Sequence, residues 1–200
     1  MNNNKDVYVY EYKGGLYINP TNQCSNSCIF CLRNNKEGVG EHKLWINEEP
    51  TAERIIEDMK KYPKYKSIVF CGFGEPMYKL EVLKKVCTFA KQKGMSVKVN
   101  TNGHSNKIHE RNVLPELKGL VDTFSISLNA DNKFDYQKEC ACKYGEDGFD
   151  YMLEFAKKSV ENGFETILSV VDFLPKETID NCEKIARDIG AKLRVRHMVG

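Results

Sequence analysis

The sequence predicts an α/β fold, a partial (βα)6-type barrel that follows an N-terminal β-hairpin. Short runs rich in β-branched and aromatic residues alternate with longer segments whose apolar residues recur at helical spacing. Strands joined by helices in this way form a parallel sheet with right-handed crossovers. Six strands of this kind are too few to close an eight-stranded barrel. The predicted barrel is therefore open, and its final helix is truncated.

Two strands at the N-terminus are predicted to form the hairpin. Residues 7–12 and 16–19 are β-type runs, and Lys13-Gly14-Gly15 joins them. The second run is also the first strand of the main sheet, and it leads into a loop that contains three cysteines. Residues 32–50, which are polar and include glycine, are predicted to form a long connection.

Five further strands follow, and a helical segment separates each from the next. They are predicted at residues 67–70, 96–100, 123–128, 166–171 and 193–196. The first helix begins after Thr51, whose side chain can cap it. The loops after parallel strands gather at one end of such a barrel, and the glycine and polar clusters of this chain fall there. We therefore expect one active site at the open end.

The composition favours a single globular domain over residues 1–200. Hydrophobic residues make up 41% of the chain and charged residues 29%, and the formal net charge is +2. This near balance gives no strong nucleic-acid signal. No apolar run has the length of a membrane span, and the N-terminus lacks the apolar region of a signal peptide. We expect a cytoplasmic protein without a membrane partner, whose eight cysteines stay reduced.

The strongest chemical signal is the C-x3-C-x2-C spacing of Cys24, Cys28 and Cys31, with Phe30 before the last cysteine. Three thiolates from one loop can hold three irons of a cuboidal [4Fe–4S] cluster and leave the fourth iron open. An open iron is useful when a small molecule binds there, whereas a closed cluster or a structural zinc site takes four protein ligands. The alternative is half of a zinc knuckle with a distant fourth ligand, which this spacing favours less.

Three further motifs stand at successive strand ends. Cys71-Gly72-Phe73-Gly74-Glu75-Pro76 comes first, and its glycines would let the backbone approach a ligand closely. Thr101-Asn102-Gly103 ends the next strand. Ser127 and Asn129 follow at the end of the one after, and they share a face because they alternate with Leu128. The first motif alone would favour an ordinary strand-to-helix turn, but its place after the cysteine loop makes a binding site the better interpretation.

On these motifs the chain resembles the radical S-adenosylmethionine (SAM) superfamily, and most of all the small TatD-family-associated radical SAM proteins. The resemblance implies that Cys24, Cys28 and Cys31 bind a [4Fe–4S] cluster and that SAM binds beside it. It also implies that the backbone near His197 and Met198 meets the adenine. The residues that it implies for the SAM site are Phe30, Gly72, Phe73, Gly74, Glu75, Asn102, Ser127 and Asn129.

The remaining cysteines are interpreted separately. Cys87 and Cys182 lie on apolar helix faces and are expected to pack in the core. Cys71 adjoins the SAM motif, a position that equally suits an inert buried thiol. Cys140 and Cys142 are predicted to lie in a polar loop on the open side of the barrel. One hypothesis is that Cys140 faces the substrate and donates hydrogen, and the alternative is that both thiols are incidental.

The resemblance implies one-electron chemistry, in which reduced flavodoxin or ferredoxin supplies an electron and SAM is cleaved to start a reaction on a substrate. The substrate is unidentified, and a small molecule, a nucleoside and a peptide all remain open. An activase or peptide-modifying enzyme that acts on a protein partner is the alternative within the same chemistry. A non-catalytic iron–sulfur or zinc-binding module is the third hypothesis, and it leaves the motifs at the other strand ends unexplained.

Overall fold

The structure, a computed structural model, describes residues 6–34 and 36–197. Its strands are β1 (Val9–Tyr12), β2 (Gly15–Ile18), β3 (Gly38–Val39), β4 (His42–Lys43), β5 (Ser67–Phe70), β6 (Ser96–Thr101), β7 (Thr123–Ser127), β8 (Glu165–Val171) and β9 (Lys192–Arg196). The main sheet has the order β1-β2-β5-β6-β7-β8-β9. β1 pairs antiparallel with β2, and each later neighbour pairs in parallel. The predicted hairpin and parallel sheet are confirmed.

Helices connect the parallel strands. They are α1 (Ala52–Met59), α2 (Leu80–Gln92), α3 (Ser105–Ile108), α4 (Leu114–Leu117), α5 (Lys133–Cys140), α6 (Asp147–Glu161) and α7 (Lys176–Ile189). Thr51 caps α1 as predicted, because its side chain accepts a hydrogen bond from the backbone N–H of Arg54. Within the described part of the chain, no helix combines the length and the apolar character that crossing a membrane requires.

The main hydrophobic core lies between the sheet and the helices. Ile68 and Phe70 of β5 and Phe124 and Ile126 of β7 are fully buried, and they belong to one cluster with helix residues such as Leu83. Since successive residues of a strand point to opposite faces, the residues between these core positions face the other side of the sheet. That other side is polar, and it surrounds a cavity.

The sheet curves around this cavity as a partial barrel. Tyr17 of β2 and Arg194 of β9 both line the cavity, although their strands do not pair and stand far apart in the sheet order. Lys98 and Asn100 of β6 line it as well, on the face opposite to the buried Val97 and Val99. The strand order over the described residues is open, as predicted, so the cavity is reached from the carboxyl ends of the strands.

Two segments differ from the sequence prediction. Residues 32–50 are more than a connection: they hold a 3-10 turn at Leu32–Asn34 and the hairpin β3-β4. In addition, Cys140 is the last residue of α5 and does not lie in a loop. The helix forms because Asn132 caps it, accepting from the backbone N–H of Asp135 at 2.9 Å, and because Tyr136 and Cys140 are buried one turn apart.

Candidate active site

The cavity at the carboxyl ends of the strands has a volume of about 340 Å³. This volume lies in the range of about 300–1,000 Å³ that is usual for cofactor and ligand sites. The cysteine loop, residues 24–31, forms one wall. The strand ends form the rest, so that residues far apart in the sequence meet. Among the predicted site residues, those that line the cavity are Cys24, Cys28, Phe30, Cys31, Gly72, Gly74, Glu75, Asn102, Ser127 and Asn129.

The cysteine loop is held from behind by the end of α5. The backbone N–H of Ser27 donates to the carbonyl of Cys140, and that of Ile29 donates to the carbonyl of Glu139, both at 2.9 Å. These carbonyls belong to the last turn of the helix, where no intrahelical donor reaches them. Asn26 adds a buried side-chain bond, since its Nδ2 donates to the hydroxyl of Tyr136 at 3.0 Å. The loop therefore has a defined shape that the protein itself provides.

A buried hydrogen-bonded chain fixes the other side of the loop. Asn102 Nδ2 donates to Ser25 Oγ at 2.7 Å, and Ser25 Oγ lies 2.9 Å from His104 Nδ1. His104 Nε2 lies 2.8 Å from the carbonyl of Gly148, which can only accept, so Nε2 carries the proton and Nδ1 accepts from Ser25. Burial lowers the pKa of His104 to about 4, so this neutral tautomer persists at physiological pH. Asn102 thus shapes the site through Ser25.

Cys24, Cys28 and Cys31 each line the cavity. Among the described residues, no group of three or more His, Cys, Asp or Glu side chains is arranged to hold one metal ion. A cluster differs from a single ion because it presents a separate iron to each thiolate. Burial raises the pKa of Cys24 to about 12 and raises that of Cys31, so these two thiols are neutral without metal and release protons when they bind it.

The absence of side chains at Gly72 and Gly74 lets the segment that precedes the cysteine loop pack closely against the glycine motif. A β-carbon at Gly74 would meet the carbonyl oxygens of Thr21 and Gln23, the latter at 2.6 Å. A β-carbon at Gly72 would meet the Asn19 side chain, and its Cα at 3.0 Å. The backbone N–H of Glu75 donates to the carbonyl of Gln23 at 2.7 Å. The glycine motif therefore packs directly on the segment that enters the cysteine loop.

Glu75 is a buried carboxylate with a complete set of donors. Its Oε1 accepts from the hydroxyl of Thr101 at 2.8 Å and from the backbone N–H of Met77 at 3.0 Å, and its Oε2 accepts from the backbone N–H of Asn102 at 2.6 Å. Burial nevertheless raises its pKa from 4.5 to about 7, while these hydrogen bonds oppose the rise. The carboxylate ties the first strand-end motif, which contains it, to the second, Thr101-Asn102-Gly103, and it still reaches the cavity.

This pKa predicts a pH dependence of stability in the absence of SAM. The pKa of Glu75 is higher in the folded state than in the unfolded state, so protonation of Glu75 stabilises the fold. This contribution to the free energy of unfolding is full below pH 4.5 and is lost as the pH rises through about 7. The free energy of unfolding of the wild type should therefore fall by roughly 3 kcal/mol relative to Glu75→Gln between pH 4.5 and 8. Denaturant unfolding of both proteins across this range measures it. A constant difference would contradict the prediction.

One predicted site residue, Phe73, does not reach the cavity with its side chain. Phe73 is buried in a separate cluster with Tyr10, Val39 and Leu44, and its ring packs edge-on against Trp45 at 5.3 Å. His197 is exposed and pairs with Asp172 at 2.7 Å. The predicted adenine contact at Met198 lies outside the described residues. Phe30, by contrast, lines the cavity and packs against Phe173 with ring centroids 5.5 Å apart.

The cavity also contains cationic side chains that sequence reasoning missed. Lys98, Arg194 and Arg196 line it, and Arg196 Nη2 donates to Asn129 Oδ1 at 3.0 Å. Asn129 adopts a left-handed backbone conformation with φ of 57°, which Asn tolerates better than most residues. The sequence did carry a signal for these cationic side chains: polar residues stand two positions apart on three strands, and residues so spaced share one face. These pairs are Lys98 and Asn100, Ser125 and Ser127, and Arg194 and Arg196. The inward face of each strand can be read from this spacing.

The structure separates the remaining cysteines. Cys71 lines the cavity, whereas Cys140 and Cys142 do not. The Cys140 thiol is fully buried and hydrogen bonds to the thiol of Cys28, which lowers the pKa of Cys28. Cys142 packs on His104, with its sulfur 4.0 Å from either ring nitrogen. This placement does not support the hypothesis that Cys140 faces a substrate, since it lies behind the cysteine loop.

Comparison with known proteins identifies related sequences. A model of the Radical SAM superfamily matches residues 18–189. The tungsten-containing aldehyde ferredoxin oxidoreductase cofactor-modifying protein of Pyrococcus furiosus is 28% identical over 94 residues, 44% of this chain and 23% of that protein. A candidate glycyl-radical enzyme activating enzyme of Methanocaldococcus jannaschii is 30% identical over 125 residues, 62% of this chain and 46% of that one. The chain therefore spans less than half the length of these relatives.

Solved structures share the fold. SuiB of Streptococcus suis bound to S-adenosylmethionine superposes with a TM-score of 0.69 over 92% of this chain and 40% of SuiB, at 14% identity. TYW1 with a lysine-pyruvate adduct superposes with a TM-score of 0.65 over 92% of this chain and 65% of TYW1, at 16% identity. Identities this low show likeness of fold. The comparisons do not address the TatD-associated subgroup, which stays a prediction.

Members of this superfamily bind a [4Fe–4S] cluster and SAM, and the residues present here fit both groups. The three thiols of the predicted ligand set open onto one cavity. Asn26 Oδ1 and Asn100 Oδ1 belong to cavity residues and are buried without a hydrogen-bond partner among the described residues, as expected of a site built for polar ligands. Because the family model matches residues 18–189, most of this chain, the chain belongs to the radical SAM superfamily.

Proposed function

We propose that this protein is an enzyme in which Cys24, Cys28 and Cys31 hold a [4Fe–4S] cluster beside a SAM site. The observation that carries the proposal is that these three thiols face the same cavity as the glycine motif and Glu75. The bound cofactors would supply reductive cleavage of SAM to methionine and a 5′-deoxyadenosyl radical, which takes a hydrogen atom from the substrate. We propose reduced flavodoxin or ferredoxin as the electron donor.

The chain itself would supply position and polarity. Gly72 and Gly74 line the cavity without side chains, so their backbone can contact the amino group of SAM. A bound ammonium beside Glu75 would favour the ionised carboxylate and offset the effect of burial on its pKa. Ser127 and Asn129 offer hydrogen bonds at the end of β7, and Arg196 orients the amide of Asn129. The resulting site binds the polar part of SAM near the thiols.

A peptide or protein substrate is the second candidate. SuiB has been solved bound to its precursor peptide SuiA, and one relative is a candidate activating enzyme for another protein. In this chain Ile29 and Phe173 leave 59% and 46% of their surface exposed, and both adjoin Phe30 at the edge of the cavity. Exposed apolar side chains beside a site are a feature of surfaces that contact other proteins.

Anaerobic reconstitution tests the proposed chemistry. The chain is loaded with iron and sulfide, reduced with dithionite and incubated with SAM, and the products are separated by liquid chromatography. Formation of 5′-deoxyadenosine and methionine is the expected result. A fully loaded cluster that yields no 5′-deoxyadenosine would instead favour a non-catalytic iron–sulfur module. Candidate peptides and small molecules are then added in turn, and the class that increases the yield of 5′-deoxyadenosine is the substrate class.

A further inference from the structure

The cationic wall of the cavity, which we define as Lys98, Arg194 and Arg196, has no role in the chemistry described so far beyond the contact of Arg196 with Asn129. Lys98 lies on β6, and both arginines lie on β9. All three residues line the cavity, so the curvature of the sheet brings two strands that are not neighbours to one space. Burial and the nearby positive charge of Arg194 both lower the pKa of Lys98.

These charges are not neutralised within the described part of the chain. Glu75 is the one carboxylate among the described lining residues, and its oxygens are already bonded to Thr101, Met77 and Asn102. Lys98 and Arg194 form no hydrogen bond or ion pair through their side chains with other described residues. Glu165, whose charge favours protonated Lys98, is itself paired with Lys192 at 2.8 Å.

Two polar atoms on the same wall are buried and unpartnered. Arg196 uses Nη2 to bind Asn129, but its Nε has no partner among the described residues. Asn100 lies next to Lys98 on the inward face of β6, and its Oδ1 is likewise unpartnered. Buried polar groups without partners cost stability unless a ligand or water satisfies them. The wall thus has the charge of an anion site and one free buried donor, Arg196 Nε, whereas Asn100 Oδ1 can only accept a hydrogen bond.

SAM does not account for this charge. It carries one carboxylate together with an ammonium and a sulfonium, so it can balance one cation and adds positive charge of its own. On this reasoning, which rests on the proposed function, we propose that the substrate carries a carboxylate or phosphate group that Lys98 and Arg194 bind, with Arg196 Nε donating a further hydrogen bond to it. Arginine and lysine are the side chains that bind such oxyanions most strongly, because their hydrogen bonds are charge-assisted.

The proposal places the reacting part of the substrate relative to the cofactors. Lys98 and Arg194 line the same cavity as the cysteine loop, but they belong to β6 and β9 and not to the loop that carries the thiols. A substrate held by its anionic group at the strands would extend toward the cysteine loop. For a peptide, the same group is the side chain of Asp or Glu or the C-terminal carboxylate. For a small molecule, it is a carboxylate or a phosphate ester.

Binding of simple anions tests the proposal directly. The reconstituted, anaerobic chain is titrated with malonate and separately with inorganic phosphate at constant ionic strength, with and without saturating SAM, and calorimetry measures affinity. We expect at least one anion to bind saturably in the presence of SAM, and the stronger one indicates a carboxylate or a phosphate substrate. Lys98→Gln and Arg194→Gln should each weaken this binding about tenfold, as the loss of one charge-assisted hydrogen bond implies.

Matched controls remove the same charges elsewhere. Lys157→Gln on α6 and Arg187→Gln on α7 change exposed residues that do not line the cavity, and they should leave anion affinity within about twofold of the wild type. Lys98→Arg keeps the charge and should retain most of the affinity, so it guards against a folding defect in Lys98→Gln. Absence of saturable anion binding, or binding that SAM abolishes, would overturn the proposal. Failure of the proposed function itself appears separately, as absence of 5′-deoxyadenosine.

Discussion

Replacement of Cys24, Cys28 and Cys31 together by alanine is expected to abolish both the iron–sulfur cluster and all cleavage of SAM. The three side chains line one wall of the cavity, and the described residues offer no equivalent thiol set beside them. Cys71 also borders the cavity, but a single thiol cannot hold a cuboidal cluster. Iron and sulfide content, visible absorbance and the paramagnetic signal of the reduced protein measure the loss. We expect all of them to fall to background.

A double variant, Cys87→Ala with Cys182→Ala, is the matched control. Both cysteines are fully buried in the main core, on α2 and α7, and neither lines the cavity. Their loss should cost some stability, about 1–2 kcal/mol for each thiol, without lowering the iron content. If the loop variant retained a full cluster, the ligand assignment would be wrong. If both variants lost it equally, the loss would reflect general unfolding.

The second large effect is expected at Gly74. Gly74→Ala places a methyl group against the backbone carbonyls of Thr21 and Gln23, and backbone cannot move aside as the end of a flexible side chain can. We expect a loss of about 3 kcal/mol in stability and, in addition, poor cluster loading, because the displaced segment leads into the cysteine loop. A purely ligand-contacting glycine would have affected SAM binding alone. Denaturant unfolding and iron content after reconstitution measure the two effects.

Gly94→Ala is the control for Gly74→Ala, because it adds backbone strain without displacing residues 21–23. Gly94 has a φ of 68°, and nothing lies within 4 Å of the position its β-carbon would take. The substitution therefore costs only backbone strain, about 1–2 kcal/mol, at a site far from the cavity in the fold. We expect normal cluster loading in this variant. Equal iron content in Gly74→Ala and Gly94→Ala would show that packing of Gly74 on residues 21–23 does not shape the loop.

The sequence predicted the parts of the fold that depend on local alternation. Val97 and Val99 mark the helix-facing side of β6, and similar alternation of apolar and polar residues predicted the other parallel strands closely, although Val195 of β9 is exposed. The helix α5 was missed because few of its residues are apolar: Tyr136 and Cys140 are buried, while Lys133, Asp135 and Lys138 interrupt any stripe. Its stability comes from the cap and from tertiary contacts, which local sequence does not reveal.

The sequence predicted the site residues that belong to recognisable motifs. It missed those whose position depends on contacts between distant segments. The cysteines, Gly74 and Glu75 line the cavity as expected. His104 has no motif around it, and its function as a link between Ser25 and Gly148 depends on three segments that only the fold brings together. Phe73 stands inside the SAM motif, yet the hairpin β3-β4 supplies the apolar surface that takes its ring away from the cavity.

The contact between the cysteine loop and α5 sets an order of events during protein synthesis. The loop leaves the ribosome well before α5, but Asn26 bonds to Tyr136, which is 110 residues further on, and Ser27 bonds to Cys140. Until α5 has emerged and docked, the three thiols cannot adopt the arrangement seen here, since contacts across such a separation form late. Delivery of iron and sulfide is therefore expected to follow translation of α5.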